Sequence, residues 1–323
     1  MVSPLPGKVF SLEIAEATTF VKVITTIQLS YGIPCFLLLI AFLIALGFSK
    51  NYQHSFYRLV QVDLLTNILC YLNTWISIRL EKTNTGVMIQ KFLESKFPGS
   101  IDISNQLTHF FMHMQFCSAI VLSIHRITSV KFVFSDEKFW LRFYPIYVLI
   151  CSGYSVGLML LPGKGYLVSI NNGTLTATYY PSIDAVAVSL TAVYSVAYFL
   201  LILIIGLSAA YLVSKKIRTL SADARGISTK LTKIALTYCA IYSGILLWSV
   251  LTYLNSMVPW QPEIISENNF TIALFGSDMM TLALPWILLV NDTNVRKDVA
   301  KLFGRHVFSG TDQVFVSTSS QRG

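Results

Sequence analysis

A chain of 323 residues that is 54% hydrophobic and only 12% charged falls well below the roughly 25% charged residues of soluble domains, so its composition excludes a soluble globular protein. The formal charge of +8 is divided among short loops, and nucleic acid is not an expected partner. All five cysteines, Cys35, Cys70, Cys117, Cys151 and Cys239, fall inside apolar stretches, which argues for buried free thiols and against a disulfide framework.

The N-terminal segment, about 1–23, carries Glu13 and Glu16 and lacks a cationic start followed by a short apolar core. A cleaved signal peptide is therefore not expected, and the first span acts as its own insertion signal. A span needs roughly 20 apolar residues, and seven stretches qualify: about 24–48, 56–78, 105–128, 143–161, 185–213, 234–258 and 271–290. The expected fold is an all-α membrane protein, a seven-transmembrane helix bundle over 24–290. No internal repeat of the inverted-transporter kind is evident. In the first outer loop, Met88, Ile89, Phe92, Leu93 and Phe97 have helix-like spacing and predict a short amphipathic helix on the membrane or over the bundle mouth. The cytoplasmic tail, 291–323, starts with a basic amphipathic helix at about 294–304. Val295, Val299, Leu302 and Phe303 form its apolar face, with Arg296, Lys297, Lys301 and Arg305 placed to meet an anionic inner leaflet of the bilayer.

Orientation follows from lysine and arginine placement. With the N-terminus outside, the three inner loops hold two, four and six basic residues and the tail five, against seven on the other side, Arg79 among them. The acceptor triplets at Asn172 and Asn269 fall in outer loops and agree, whereas Asn291-Asp292-Thr293 sits at the inner end of the last span and reads as a chance match.

Polar residues inside the spans are the functional candidates. On the third span, Gln106, His109, His113 and Cys117 share one narrow face, continued by Ile120 and Ile124, and that stripe should face a protein interior. The H-x-x-x-H spacing is one that metal sites use, but Phe110 stands where a zincin has glutamate and no third ligand is evident, so no metal is expected. His109 and His113 are read as pocket lining, which would let the pocket sense pH, or as interhelical hydrogen-bonding groups. Asp63 and Asp278 are the two mid-membrane carboxylates, each costing about 2.5–3.5 kcal/mol on insertion scales. Asp63 begins a stripe with Asn67, Cys70 and Thr74, either a register contact or a polar switch in the bundle core. Asp278, roughly 10 Å below the outer end of its span, is either a ligand contact or a structural partner, for instance of a third-span histidine. Trp248, the deepest aromatic of the sixth span that stands out, completes the pocket candidates. Arg126 ends the third span. It lies roughly 20 Å below His113 and about 220° around the wheel, so the two do not share a face.

Four long segments carry a resemblance: Ser55 to Glu81 (SFYRLVQVDLLTNILCYLNTWISIRLE), His125 to Val130 (HRITSV), Lys230 to Trp248 (KLTKIALTYCAIYSGILLW) and Ser277 to Val299 (SDMMTLALPWILLVNDTNVRKDV). In this order, over about residues 25–305, the chain resembles the serpentine receptor class gamma family of nematode chemoreceptors. The resemblance implies a sensory G-protein-coupled receptor whose partners are a small-molecule ligand, a heterotrimeric G protein, the bilayer and, in some cases, a receptor oligomer. It also implies the plasma membrane, and a sensory cilium of chemosensory neurons, as location. Arg126 with Lys215, Lys216, Arg218, Lys230 and Lys233 would then form the G-protein-coupling surface. The chain departs from rhodopsin-like receptors. His125-Arg126-Ile127 stands where an Asp-Arg-Tyr step would be, Leu284-Pro285-Trp286 keeps only the proline of the seventh-span motif, and no outer cysteine pair is present.

Competing classes leave different marks. A ligand-gated channel of the insect-odorant type would have an inside N-terminus. A retinal pigment needs a seventh-span lysine, which 271–290 lacks. A heptahelical hydrolase needs a metal cluster or a serine–histidine–acid set, which the few intramembrane polar residues do not supply. No cofactor and no enzymatic activity are expected.

Overall fold

The computed structural model describes residues 7–13, 19–48, 52–131, 136–161, 163, 165–216, 233, 236–237, 240–243, 246–251, 253–254, 269–291, 296–297 and 299–300. Arg218, Lys230, most of the expected C-terminal amphipathic helix and the side chains of Arg126, Lys216 and Asn269 lie outside the described residues.

The elements in chain order are β1 (Lys8–Ser11), α1 (Thr19–Phe48), α2 (Ser55–Thr74), α3 (Asn84–Lys96), α4 (Ser100–Lys131), α5 (Asp136–Leu160), β2 (Tyr166–Asn171), β3 (Thr174–Tyr179), α6 (Pro181–Lys216), α7 within Ala240–Leu251, and α8 (Asn269–Asn291). With α3 lying between the second and third spans, the helices make the seven-helix membrane bundle that the apolar runs predict. Polar side chains within the spans are met locally: Thr26 donates to the Lys22 carbonyl (2.8 Å) and Ser30 to that of Thr26 (2.7 Å). The bundle core is built from large apolar side chains, Phe42, Leu46, Leu59, Leu64, Phe116, Tyr242, Leu284 and Leu288 among them.

α2 sorts its residues by face. Leu65, Leu69 and Leu72 are exposed along one stripe, while Asp63, Asn67, Cys70 and Thr74 are buried. On an unbroken helix Arg79, seven residues after Leu72, would fall about 20° from that lipid-facing stripe. It does not, because a π turn over Trp75–Arg79, followed by a 3-10 turn over Leu80–Lys82, delays the rotation and brings Arg79 inward. Gln90 of α3 donates to the Ile76 carbonyl (2.8 Å) within that irregular stretch.

α3 presents Gly86, Val87, Gln90 and Glu94 to the protein and leaves Met88, Ile89 and Phe92 exposed. Thr83 caps its start by accepting from the Gly86 amide (3.2 Å), and Gly86 has to be glycine because a Cβ there would collide with the Leu80 carbonyl. The Glu94 carboxylate accepts from the Gly99 (2.6 Å) and Ile101 (3.4 Å) amides at the start of α4, where free N–H groups favour an anion.

A three-stranded antiparallel sheet, ordered β1-β3-β2, adds to the helices at one end of the bundle. The sequence reading treats this stretch as loop, yet Asn172-Gly173 is a strong hairpin signal, and both residues take the positive φ (51° and 77°) of a two-residue turn. Leu12, Val87, Ile101, Val168, Leu175 and Ala177 form a second, smaller core beneath the sheet. Glu13, just after β1, accepts from Lys91 of α3 (2.7 Å). That hydrogen bond holds its carboxyl below the ordinary carboxylate range.

Candidate functional site: a mouth cavity above a buried polar seam

At the sheet end a cavity of about 620 Å³ opens between β1 (Phe10, Ser11, Leu12), the end of the second span (Ser77, Glu81, Lys82), α4 (Asn105, Thr108, His109) and Tyr166 of β2. Its size suits a small organic molecule. The wall carries both charges, Lys82 Nζ lying 2.9 Å from Glu81 Oε1. The Tyr166 hydroxyl faces Glu81 (3.5 Å), and burial together with that carboxylate pushes its pKa up. Asn105 lines the cavity, and its amide Nδ2 is buried without a hydrogen-bond partner among the described residues. Ser77 and Thr108 meet across the floor (3.2 Å). Asn73 donates to Thr108 Oγ1 (3.1 Å) and to the Ser104 carbonyl (2.9 Å), so the cavity floor is also the α2–α4 seam.

Of the four ligand candidates read from the sequence, His109 alone lines this cavity. One turn deeper, His113 is buried in a ring cluster between α4, α5 and α6. Its Nδ1 is 2.8 Å from the Tyr198 hydroxyl, which lies 3.0 Å from that of Tyr154, and Tyr194 stands edge-on to the imidazole at 5.2 Å. Trp248 is half-buried, does not line this cavity, and its indole N–H has no partner among the described residues. Asp278 is buried on α8 and meets no third-span histidine. Its carboxylate accepts from the Arg79 guanidinium on one oxygen and from the Tyr31 hydroxyl of α1 on the other. The guanidinium lies over the rings of Tyr71 (5.4 Å) and Trp75 (5.2 Å). Arg79 is therefore buried within the bundle rather than placed in a loop, and the basic count that the sequence assigns to the outer side falls by one. The wheel could not find it, since only the π turn brings it inside.

Deeper, Asn67 donates to Asp63 Oδ2 (3.1 Å), and Gln115 of α4 donates to Asn67 Oδ1 (2.7 Å) and Thr281 Oγ1 of α8 (3.1 Å). The stripe that starts at Asp63 is thus one edge of a network joining α2, α4 and α8. Gln115 escapes a periodicity argument because it lies off the histidine stripe of its helix. Both partners of its amide are buried, so Gln115→Leu should cost about 1–3 kcal/mol, seen as a lower midpoint of thermal unfolding in detergent. An unchanged midpoint would show the network to be idle.

At the opposite end, Ser55 at the start of α2 binds two neighbours. Its Oγ lies 2.8 Å from His125 Nε2 of α4 and donates to Glu137 Oε2 of α5 (2.8 Å), while its amide donates to Glu137 Oε1 (2.6 Å). Trp140 of α5 donates to Thr128 Oγ1 of α4 (2.9 Å). Arg126 follows directly on His125 in α4, Lys215 is exposed near the end of α6, and Lys233 is exposed beyond it.

A seven-helix bundle with a mouth cavity and a polar seam is the setting in which the comparisons take on meaning. The solved structure of squid rhodopsin is similar in fold, with a TM-score of 0.59, 12% identity, and coverage of 90% of this chain and 88% of that one. Serpentine receptor class gamma-47 of Caenorhabditis elegans is 35% identical over 276 residues, 85% of this chain and 89% of its own length. Serpentine receptor class gamma-53 of the same nematode is 32% identical over 276 residues, 84% and 90% respectively. The sequence pattern of the Srg family chemoreceptors matches residues 25–299, and the chain belongs to that family.

Proposed function

We propose that this chemoreceptor binds a small external molecule in the mouth cavity and passes the event to a heterotrimeric G protein at the other end of the bundle. The observation that carries the reading is the shared floor: Ser77 and Thr108 belong both to the cavity and to the α2–α4 seam. A ligand shifts a receptor only through unequal affinity for two packings, and a molecule held there touches the contact whose geometry differs between packings. Arg126, Lys215, Lys216, Arg218, Lys230 and Lys233 supply the basic inner surface, and the network from Asp63 through Asn67 to Thr281 is the switch in the core. The plasma membrane, and a sensory cilium, are the proposed locations.

The test is heterologous expression with a G-protein readout against a panel of small organic molecules. His109→Ala should raise the half-maximal concentration of an active compound roughly tenfold, the loss of about one hydrogen bond to a ligand. His113→Ala should change folding yield instead. A response unaltered by His109→Ala removes the cavity assignment.

The orientation is testable separately. Asn172 is exposed at the tip of the β2–β3 turn and should carry a glycan, so that Asn172→Gln abolishes a glycosidase-sensitive mass shift. Modification at Asn291 instead would invert the bundle and favour a ligand-gated channel with its N-terminus inside.

A further inference from the structure

The end of the second span is wound unevenly. The π turn over Trp75–Arg79 is underwound, and the 3-10 turn over Leu80–Lys82 that follows it is overwound. The Leu80 amide bonds to the Trp75 carbonyl, five residues back, and so passes over the Ile76 carbonyl that an α-helix would have it take. Gln90 of α3, only 1% exposed, donates to that carbonyl instead (2.8 Å). The π turn is thus held from outside its own helix. Drawing its extra residue into the next turn restores the α register and carries Arg79 about 100° round, one residue's share of a helical turn.

Two sites meet on this stretch. Ser77 and Ile78 of the π turn, and Glu81 and Lys82 of the 3-10 turn, line the mouth cavity. Arg79 stands between these pairs and turns the other way. It holds Asp278 of α8, whose second oxygen accepts from Tyr31 of α1. A molecule in the cavity therefore touches residues on both sides of the one that ties α1, α8 and the second span together.

We infer that the π turn is a two-position switch: at rest it directs Arg79 to Asp278, and an occupant of the mouth cavity favours the α register, in which Arg79 leaves the carboxylate. This rests on the mouth cavity as the ligand site and supplies the element that the ligand moves. The overwound turn beyond takes up the rotation, so the change stays local. Arg79 comes directly after the apolar run of its span, about 56–78, so once turned out its guanidinium reaches the polar boundary and is not stranded among acyl chains. Asp278 keeps the Tyr31 hydroxyl. Rupture of a buried ion pair keeps the α register rare in the empty receptor, and a ligand acts through its unequal affinity for the two registers.

The full chain in lipid nanodiscs, labelled with 5-fluorotryptophan, reports the switch through Trp75, whose ring lies 5.2 Å from the guanidinium. The signal lost in Trp75→Phe is the Trp75 resonance. Arg79→Met with Asp278→Leu gives its position with no guanidinium beside it. The cavity is filled by reacting Asn105→Cys, on the α4 wall, with benzyl methanethiosulfonate, and the native chain treated in the same way is the control. The benzyl group should raise the population at the guanidinium-free position roughly threefold or more. Gln90→Leu, which removes the donor to the Ile76 carbonyl, should raise it roughly fivefold with the cavity empty, the loss of about one hydrogen bond. Deletion of Ile76 leaves a continuous α-helix with Arg79 still directed at Asp278, so there the benzyl group should leave the signal at its paired position. A Trp75 signal that the benzyl group does not move overturns the switch, and so does one that moves equally in the deletion variant. Should that variant fail to fold, Gln90→Leu decides, and an unchanged Trp75 signal in it overturns the switch as well. The readout involves no G protein. A Trp75 signal that switches in a receptor that never signals removes the proposed function and keeps the switch, whereas signalling through the mouth cavity with a silent Trp75 does the reverse.

Discussion

Replacing Asp278 alone by alanine should cost the folded receptor about 3–5 kcal/mol, read as a collapse of thermal stability in detergent and of surface expression. The Arg79 and Asp278 side chains are 2% and 4% exposed, so solvent screens the pair very little. Losing the carboxylate strands a guanidinium in the bundle beside the rings of Tyr71 and Trp75. Arg79→Met alone strands the carboxylate in the same way, with one tyrosine hydroxyl left to hold it. The double replacement Arg79→Met with Asp278→Leu removes both charges and should recover most of the loss, since a buried pair is often matched by apolar side chains of similar volume. The decisive quantity is the coupling in the double-mutant cycle. If the two single effects simply add, the pair is not an interacting unit, and Asp278 must be held by something else.

The second large effect is expected at the other end. Arg126→Ala should abolish G-protein signalling while the protein still reaches the surface, and Ser55→Ala should raise signalling without ligand. The reasoning for Ser55 is geometric. One hydroxyl bridges His125 of α4 and Glu137 of α5 from the start of α2, so its removal frees three helix ends at once. At about 1 kcal/mol for such a bond, the population of an opened state should rise roughly fivefold. Arg126 follows on His125, so any release of that contact moves the arginine's backbone with it. Normal signalling in Arg126→Ala would remove it as the coupling residue, and an unchanged basal level in Ser55→Ala would show that the bridge does not restrain the bundle. The absence of an acidic residue before Arg126 becomes intelligible here. Beside it, His125, Ser55 and Glu137, from three helices, are joined by hydrogen bonds.

How far the site could be read in advance differs by kind of residue. Asp63 and Asn67 were legible because their stripe lies on a regular helix, where a wheel converts spacing into direction. His109 and His113 were grouped by the same wheel, but one turn of depth separates a cavity wall from a ring cluster, and depth depends on what the neighbouring helices place there. Arg79 is counted with the outer loop because the apolar run ends at about residue 78, and the π turn that brings it inward leaves no periodic signal. Gln115, Tyr31, Ser55 and Glu137 carry no sequence signal of their own. Each matters through a partner tens or hundreds of positions away.

What the sequence determined by itself is therefore the part set by short-range physics. Apolar runs of about 20 residues must span a bilayer as helices, because backbone groups have no other partner there, and the long matching segments identify the family. The tertiary structure decided the rest: that β1 closes against a hairpin over the mouth, that Arg79 turns inward to Asp278, and that Gln115 ties the Asp63 stripe to Thr281. These depend on which faces of non-adjacent helices meet, which is fixed by packing and by the pairing of buried polar groups rather than by any local pattern.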